Sequence, residues 1–296
     1  MASSVLATWP CFGRLPLAHR LLKTACLSAA LTLALAPSRP GLAQAPVAGQ
    51  GSGQAAGEVD VALVLAVDIS FSMDLEELAL QRAGYVEALR SREVHKAIAN
   101  GATGRIGLTF FEWAGLNIQH HLIPWRVIDS PAAALAFADE LERQPTRRGQ
   151  RTSVSAAIDF AARQLDEAPF RAIRKVMDIS GDGPNNSGRH VTQARDEALA
   201  RGFSINGLPI TVKRPGYLDI PDLDLYYEDC VIGGQGSFVI SITDKAQFIQ
   251  TIKTKLIMEI SDAPAGPARL VMKAQAPQHR VSCTVGEDIW RNRMGN

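Results

Sequence analysis

Val59-Asp60-Val61-Ala62-Leu63-Val64-Leu65-Ala66-Val67, followed at once by Asp68-Ile69-Ser70-Phe71-Ser72, is the stretch from which the fold can be read. A strand with one wet face alternates apolar and polar residues, whereas a nearly unbroken apolar run marks a strand buried on both faces, central in a parallel sheet. A helix is predicted next over 75–90, with Leu75, Leu78, Tyr85, Val86 and Leu89 on one face and Asp74 with Glu77 as a capping box. Strands are predicted over 106–113 and 118–127, joined by Ala114-Gly115-Leu116-Asn117. The second holds Pro124 and is assigned to an antiparallel edge, where a missing N–H is tolerated.

Further along, helices over 131–143 and 153–165 precede a strand over 174–180, a helix closed by Gly202, and strands over 203–210 and 237–242. Asp244 and Gln247 can cap a last helix whose apolar face is Phe248, Ile249, Ile252, Leu256 and Ile260. Residues 223–231 and the tail beyond Ser261 carry no firm pattern. This alternation predicts an α/β fold: a doubly wound, mostly parallel six-stranded sheet with one antiparallel edge strand and helices on both faces.

No Asp or Glu precedes Glu58, whereas Arg14, Arg20 and Lys23 lead into an apolar run from Ala25 to Ala36. That run is shorter than the roughly 20 residues that span a bilayer, and Ala43-Gln44-Ala45 offers a cleavage site. Residues 1–45 are therefore expected to be a signal peptide, 46–57 a flexible linker, 58–261 the folded domain and 262–296 a C-terminal extension. An uncleaved anchor is the alternative. The expected location is the periplasm or the exterior, with no membrane span after cleavage. Taking the four Lys/Arg of residues 1–45 from the total of 31 leaves 27 against 30 acids, a net charge of −3. With no basic patch interleaved with aromatics, a nucleic-acid partner is not expected.

Cys11 and Cys26 leave with the signal, so Cys230 and Cys283 remain. In an oxidising compartment two cysteines point to one disulfide, with two separate buried thiols as the alternative.

The chemistry is expected where the strands end, because ligands of a doubly wound sheet bind outside the carboxyl ends, where the strand order reverses. Residues two apart in extended chain point the same way, so Asp68, Ser70 and Ser72 can converge while Ile69 and Phe71 turn towards the core. Thr152 precedes a helix, and Asp182 follows a central strand in Ser180-Gly181-Asp182-Gly183. Five oxygen donors without nitrogen or sulfur suit a hard cation such as Mg²⁺, with Mn²⁺ or Ca²⁺ as alternatives, which seeks about six ligands. A partner's carboxylate would be a favoured sixth. The competing reading makes Ser70 and Ser72 turn or cap residues and Asp182 a turn residue before glycine.

These three pieces in this order resemble the von Willebrand factor A family and its metal-ion-dependent adhesion site. The family's Asp-x-Ser-x-Ser falls on Asp68, Ser70 and Ser72, its separate threonine on Thr152, and its later Asp-Gly on Asp182-Gly183. The resemblance spans about residues 58–261, and segments such as 179–186 and 230–234 are similar to a group of exported bacterial proteins of this type. It implies a Rossmann-like domain that binds a protein partner presenting an Asp or Glu carboxylate to the ion. The loop before the threonine departs from the family's glycine-rich pattern, because Arg147, Arg148 and Arg151 surround Thr152. These cations either select acidic partners or are simply solvated.

Asp178, in mid-strand, is expected to form a structural ion pair, with a catalytic base as the alternative, and Glu112 to support the site or lie exposed at a strand end. His120 and His121 alternate across an edge strand and cannot both face one metal. The leading expectation is a non-catalytic, cation-dependent binding module. A metal-assisted hydrolase is the alternative, although Asp68-Ile69-Ser70 lacks the second aspartate of an Asp-x-Asp site; a structural domain with a vestigial site is the other.

Overall fold

The structure, a computed structural model, describes residues 56–212, 220–261 and 280–294. The expected signal peptide lies outside the described residues, as does all of the expected linker except Ala56 and Gly57, which belong to the first strand. Strands β1 (Ala56–Asp68), β2 (Ile106–Trp113), β3 (Gln119–Ile128), β4 (Phe170–Gly181) and β5 (Ser204–Pro209) form a sheet in the order β3-β2-β1-β4-β5. β1 pairs in parallel with β2 and β4, β5 continues in parallel on β4, and β3 runs antiparallel at the edge. The central place of β1 follows from its composition. Leu63, Leu65 and Val67 enter one apolar core and Ala62, Val64 and Ala66 the other. Each fully buried Leu or Val contributes about 1.5–3 kcal/mol relative to exposure.

The first core is closed by α1 (Leu75–Arg90), α2 (Arg92–Ala99), α3 (Pro131–Glu142) and α7 (Phe248–Ser261). The second is closed by α4 (Val154–Asp166), α5 (Val191–Ala200), α6 (Leu223–Tyr226) and, at its margin, α8 (Val285–Met294). The capping box of α1 forms: Asp74 accepts from the Glu77 N–H and Glu77 from the Asp74 N–H, both at 2.8 Å. Helix α2 was not expected. Ser91 ends α1 and caps α2 at once, so no loop separates them in sequence, and Val94, Ala97 and Ile98 then bury a separate stripe.

The expected sixth strand, 237–242, is a correction: it forms no ladder with β5 but meets Gly207 and, just past β5, Ile210 in isolated bridges at Gly207–Val239 and Ile210–Ile242. Between them stands Pro209. Gly207 donates to the Phe238 carbonyl and accepts from Ile240, and Thr211 donates to Ile242, whereas Pro209 has no N–H to supply the intervening bond. A proline in the ladder thus leaves a five-stranded sheet with a tethered sixth segment. The patternless stretch 223–231 is α6 continuing into a wide turn of π geometry, Tyr227–Val231.

Asp178 has the partner expected of it. Lys255 of α7 donates to Asp178 at 2.6 Å and also pairs with Glu259, while Tyr85 donates to Asp178 and Asn206 to Glu259. All three charges are fully buried, joining α7 to β4 beneath the sheet. Burial pushes the Glu259 carboxyl up to about 7 and Asp178 adds to this, against the pull of Lys255. Burial would lower the Lys255 ammonium, but the two carboxylates outweigh it and hold it above its ordinary value.

Cys230 and Cys283 form a disulfide that joins the turn after α6 to the segment before α8. Among the described residues no helix is long and apolar enough to cross a membrane.

Candidate metal centre

The strand order reverses at β1, where the chain crosses from the β2 side to the β4 side, and Asp68 and Asp182 stand at the carboxyl ends of these neighbouring strands. Asp68 is fully buried, and its Oδ1 accepts from the Ser70 N–H at 2.7 Å. The Ser70 and Ser72 hydroxyls lie 2.7 Å apart, and Ser72 donates to Asp182 Oδ1 at 2.6 Å. Asp68, Ser70, Ser72 and Asp182 are therefore one continuous hydrogen-bonded arc.

Thr152 reaches the same place from another loop. Its N–H donates to Asn186 Oδ1 at 2.9 Å and its carbonyl accepts from the Asn186 N–H at 2.8 Å, fastening it to the loop that carries Asp182. Its hydroxyl lies 3.8 Å from where a Cβ on Gly183 would be. The Thr152 loop also leans on the segment just after β1, where Gly149 donates to the Ile69 carbonyl and bridges Ser70. All five expected residues thus belong to one cluster of loops.

The electrostatics of the arc are unbalanced. Asp68 Oδ2 is buried without a hydrogen-bond partner, beside the second carboxylate. Burial pushes the Asp68 carboxyl well above the usual carboxylate range, the charge of Asp182 pushes it further, and hydrogen bonds from the Ser70 N–H, the Ser70 hydroxyl and the Asp182 N–H offset only part of this. A buried oxygen without a donor and a repelled neighbour is the environment a cation relieves. Among the described residues no three His, Cys, Asp or Glu side chains gather to hold a metal, so a cation here would depend on hydroxyls as well as on two carboxylates. The donor chemistry therefore fits a hard divalent ion, which Asp68, Ser70, Ser72, Thr152 and Asp182 would hold.

One expected orientation is corrected. Phe71 does not turn to the core but is 54% exposed, with the Arg148 guanidinium 5.0 Å from its ring centre. Extended geometry ends at Ser70, whose carbonyl accepts from Met73, and Met73 takes the buried place instead.

The arginines around Thr152 are not merely solvated. Arg148 donates to the carbonyls of Phe71 and Met73 at 2.8 and 2.7 Å, bracing the loop of Ser70 and Ser72. Arg151 donates to the Asn186 carbonyl at 2.8 Å and stacks on Trp290 of α8. Arg147 lies 3.9 Å from Glu112, which is buried and paired with Arg82, so Glu112 is not an exposed strand end. Arg151 is also, among the described residues, the one non-glycine residue with positive φ, at 69°. For a side chain with a Cβ this left-handed conformation costs about 1–2 kcal/mol.

Several contributors escaped the sequence reading. Asn185 is fully buried; its Oδ1 accepts from the Ser155 N–H, and its Nδ2 donates to Glu287 at 2.7 Å and to the Arg189 carbonyl. The buried Tyr227 hydroxyl faces Gly181 together with Asp68 Oδ2. Burial, then the Asp68 charge, push its phenol well above its ordinary value. The Asn185-Asn186 pair in a turn was a visible signal, whereas nothing in the sequence marks Tyr227, Glu287 or Trp290 as neighbours of Asp182.

Residues 58–264 match the model of a family described as Protein of unknown function (DUF1194). The chain belongs to this family. No curated protein matches the DUF1194 chain. Among solved structures it is similar to the pilus adhesin SpaC of Lactobacillus rhamnosus GG, with 12% identity, a TM-score of 0.50, and coverage of 69% of this chain and 30% of that one. Proximal thread matrix protein 1 of the mussel byssus gives 12% identity and a TM-score of 0.49, covering 69% and 48%. A von Willebrand factor type A protein of Catenulispora acidiphila gives 16% and 0.47, covering 69% and 43%. The DUF1194 chain thus spans about half the length of the mussel protein. At these identities the likeness is one of fold alone: a doubly wound, mostly parallel α/β sheet with one antiparallel edge strand.

Proposed function

We propose that this chain is an exported, divalent-cation-dependent protein-binding module of the adhesion type. The observation that carries the reading is the hydrogen-bonded arc of Asp68, Ser70, Ser72 and Asp182, buried at Asp68 and Ser70, with an Asp68 oxygen that lacks a hydrogen-bond partner beside a second carboxylate. Asp68, Ser70, Ser72, Asp182 and Thr152 would hold the ion, Mg²⁺ in the first instance, with Mn²⁺ or Ca²⁺ able to substitute. Bound, the ion neutralises the two carboxylates and presents a positive centre to a partner's Asp or Glu. The protein's own part would be to hold these oxygens near one another at the carboxyl end of the sheet and leave room for one more ligand. This reading requires no nucleophile or general base. Residues 1–45 would direct the chain to the periplasm or beyond, and Cys230–Cys283 suits that oxidising setting.

Calorimetric titration of the chain with Mg²⁺, Mn²⁺, Ca²⁺ and Zn²⁺ tests the site. Affinity capture from a periplasmic or extracellular extract, in Mg²⁺ against chelator, tests the use. Asp68→Ala and Thr152→Ala are expected to abolish cation binding and cation-dependent capture while leaving the fold intact. Capture that survives chelator, or variants that bind as the parent does, would overturn the mechanism.

A further inference from the structure

Arg151 stands one residue before Thr152 in a backbone conformation that glycine adopts freely and other residues rarely do. Strain of this kind persists only where surrounding contacts fix it. Two such contacts hold the Arg151 guanidinium: the Asn186 carbonyl at 2.8 Å, and the Trp290 ring, whose centre is 3.6 Å from the guanidinium carbon. Asn186 in turn holds Thr152 through both its backbone N–H and its side-chain oxygen. Arg151 therefore joins the Thr152 loop, the Asp182 loop and helix α8 at one point.

Helix α8 meets the Asp182 loop a second time. Glu287 accepts from Asn185, and a Cβ on Gly286 would fall 2.0 Å from the Asn185 carbonyl, so the helix lies against that backbone without room for a methyl group. The disulfide to Cys230 and the pairing of Arg280 with Asp229 secure the segment that leads into the helix. A tail whose only task was to cover the apolar margin of the second core would need Val285 and Ile289, but neither the stacked Arg–Trp pair nor the Glu287–Asn185 bond.

We propose that Arg151 and Trp290 are positioning residues of the candidate metal centre, a clamp by which the disulfide-tethered C-terminal helix fixes the Thr152 and Asp182 loops in a cation-binding arrangement. The proposal rests on the cation reading for its functional consequence, while its structural content is independent of it. The clamp explains why a loop with arginines at 147, 148 and 151 serves where flexible glycines would otherwise be expected: the guanidinium supplies from its far end the restraint that its backbone conformation demands.

The test uses the full chain with Trp290→Ala, Trp290→Leu and Trp290→Phe, read by amide hydrogen exchange at Thr152 and Asn186 without metal, and by calorimetric Mg²⁺ and Mn²⁺ affinity. Loss of a partly desolvated cation–π contact predicts about tenfold faster exchange at these amides and about tenfold weaker cation binding for Trp290→Ala. Trp290→Phe should remain within about twofold of the parent, because the π face is kept, whereas Trp290→Leu should behave as Trp290→Ala although its bulk is apolar. In an Arg151→Gly background, which removes the guanidinium and relieves the backbone, Trp290→Ala should add nothing. Leu restoring parental exchange would reduce Trp290 to packing and overturn the clamp, as would unchanged exchange in Trp290→Ala. A parent chain that binds no cation, with exchange still responding to Trp290 as stated, would overturn the cation reading and leave the clamp standing.

Discussion

Gly181 shows how little tolerance the candidate centre has at the level of one atom. A Cβ there would lie 2.8 Å from Asp68 Oδ2 and 2.9 Å from the Tyr227 hydroxyl, closer than such contacts permit. Gly181→Ala is therefore expected to displace the Asp68 carboxylate or the phenol, to cost about 1–3 kcal/mol of stability, and to weaken Mg²⁺ binding roughly tenfold or more. Urea unfolding and calorimetry on the same variant check both, and parental affinity would show that this oxygen does not face the ion. Asp182→Asn removes one of the two repelling charges while keeping an oxygen that can accept from Ser72. Without cation it should melt higher than the parent, by roughly 2–4 °C for about 1 kcal/mol of relieved repulsion, and in Mg²⁺ that advantage should vanish. An Asp182→Asn chain that melts lower in chelator would mean that the arc is not strained by its charge.

At the scale of elements, helix α7 is tied to β4 by buried charge. Lys255 is 1% exposed and holds Asp178 and Glu259 together, so Lys255→Met leaves two buried carboxylates facing each other and is expected to cost about 3–5 kcal/mol. The pH dependence follows from Glu259, whose carboxyl is pushed up to about 7 in the folded chain from an ordinary 4.5. A folded pKa above the unfolded one means that the native state holds more proton between these values, so this group's contribution to stability falls as pH rises through that window. Glu259→Gln removes that slope. Urea unfolding near pH 5 and near pH 8 should show the parent losing stability relative to Glu259→Gln, and equal slopes would place the titration elsewhere.

For the molecule as a whole, the disulfide closes a loop of sequence separation 53 and connects the turn after α6 to the segment that carries α8. In a chain-entropy account, removing it with Cys230→Ser and Cys283→Ser should cost about 2–4 kcal/mol. Thiol titration of the denatured, unreduced chain should find both cysteines blocked. The two cores, by contrast, contain no ligand of the candidate centre, so chelator should lower the melting temperature only slightly while abolishing cation-dependent capture. A large drop in chelator would mean that the ion supports the fold as well as the partner.

The unbroken apolar run of β1, the alternation of strands and helices, the capping box at Asp74 and the edge position marked by Pro124 were legible in the sequence because each rests on periodicity or on local backbone chemistry. Four of the candidate oxygen donors, Asp68, Ser70, Ser72 and Asp182, could be placed near one another for a related reason: they stand at or just after the ends of parallel strands, which the sheet itself brings together, whereas Thr152 comes from the loop before α4. Where the reading failed, the cause was contact between segments far apart in the chain. Pro209 reduces a sixth strand to two bridges only because of what lies opposite it, and Ser91 serves two helices only because α2 finds a place to bury Val94 and Ile98. Phe71 is exposed because the chain turns at Ser70 and Met73 fills the core. Trp290 and Glu287 reach the Thr152 and Asp182 loops across more than a hundred residues, through side-chain contacts that no local pattern encodes. The sequence by itself determined the central strand, the alternation of strands and helices around it and the polar residues at its end; tertiary packing decided how many strands pair and which side chains hold the candidate donors still, because it alone sets the distance between residues that the chain keeps apart.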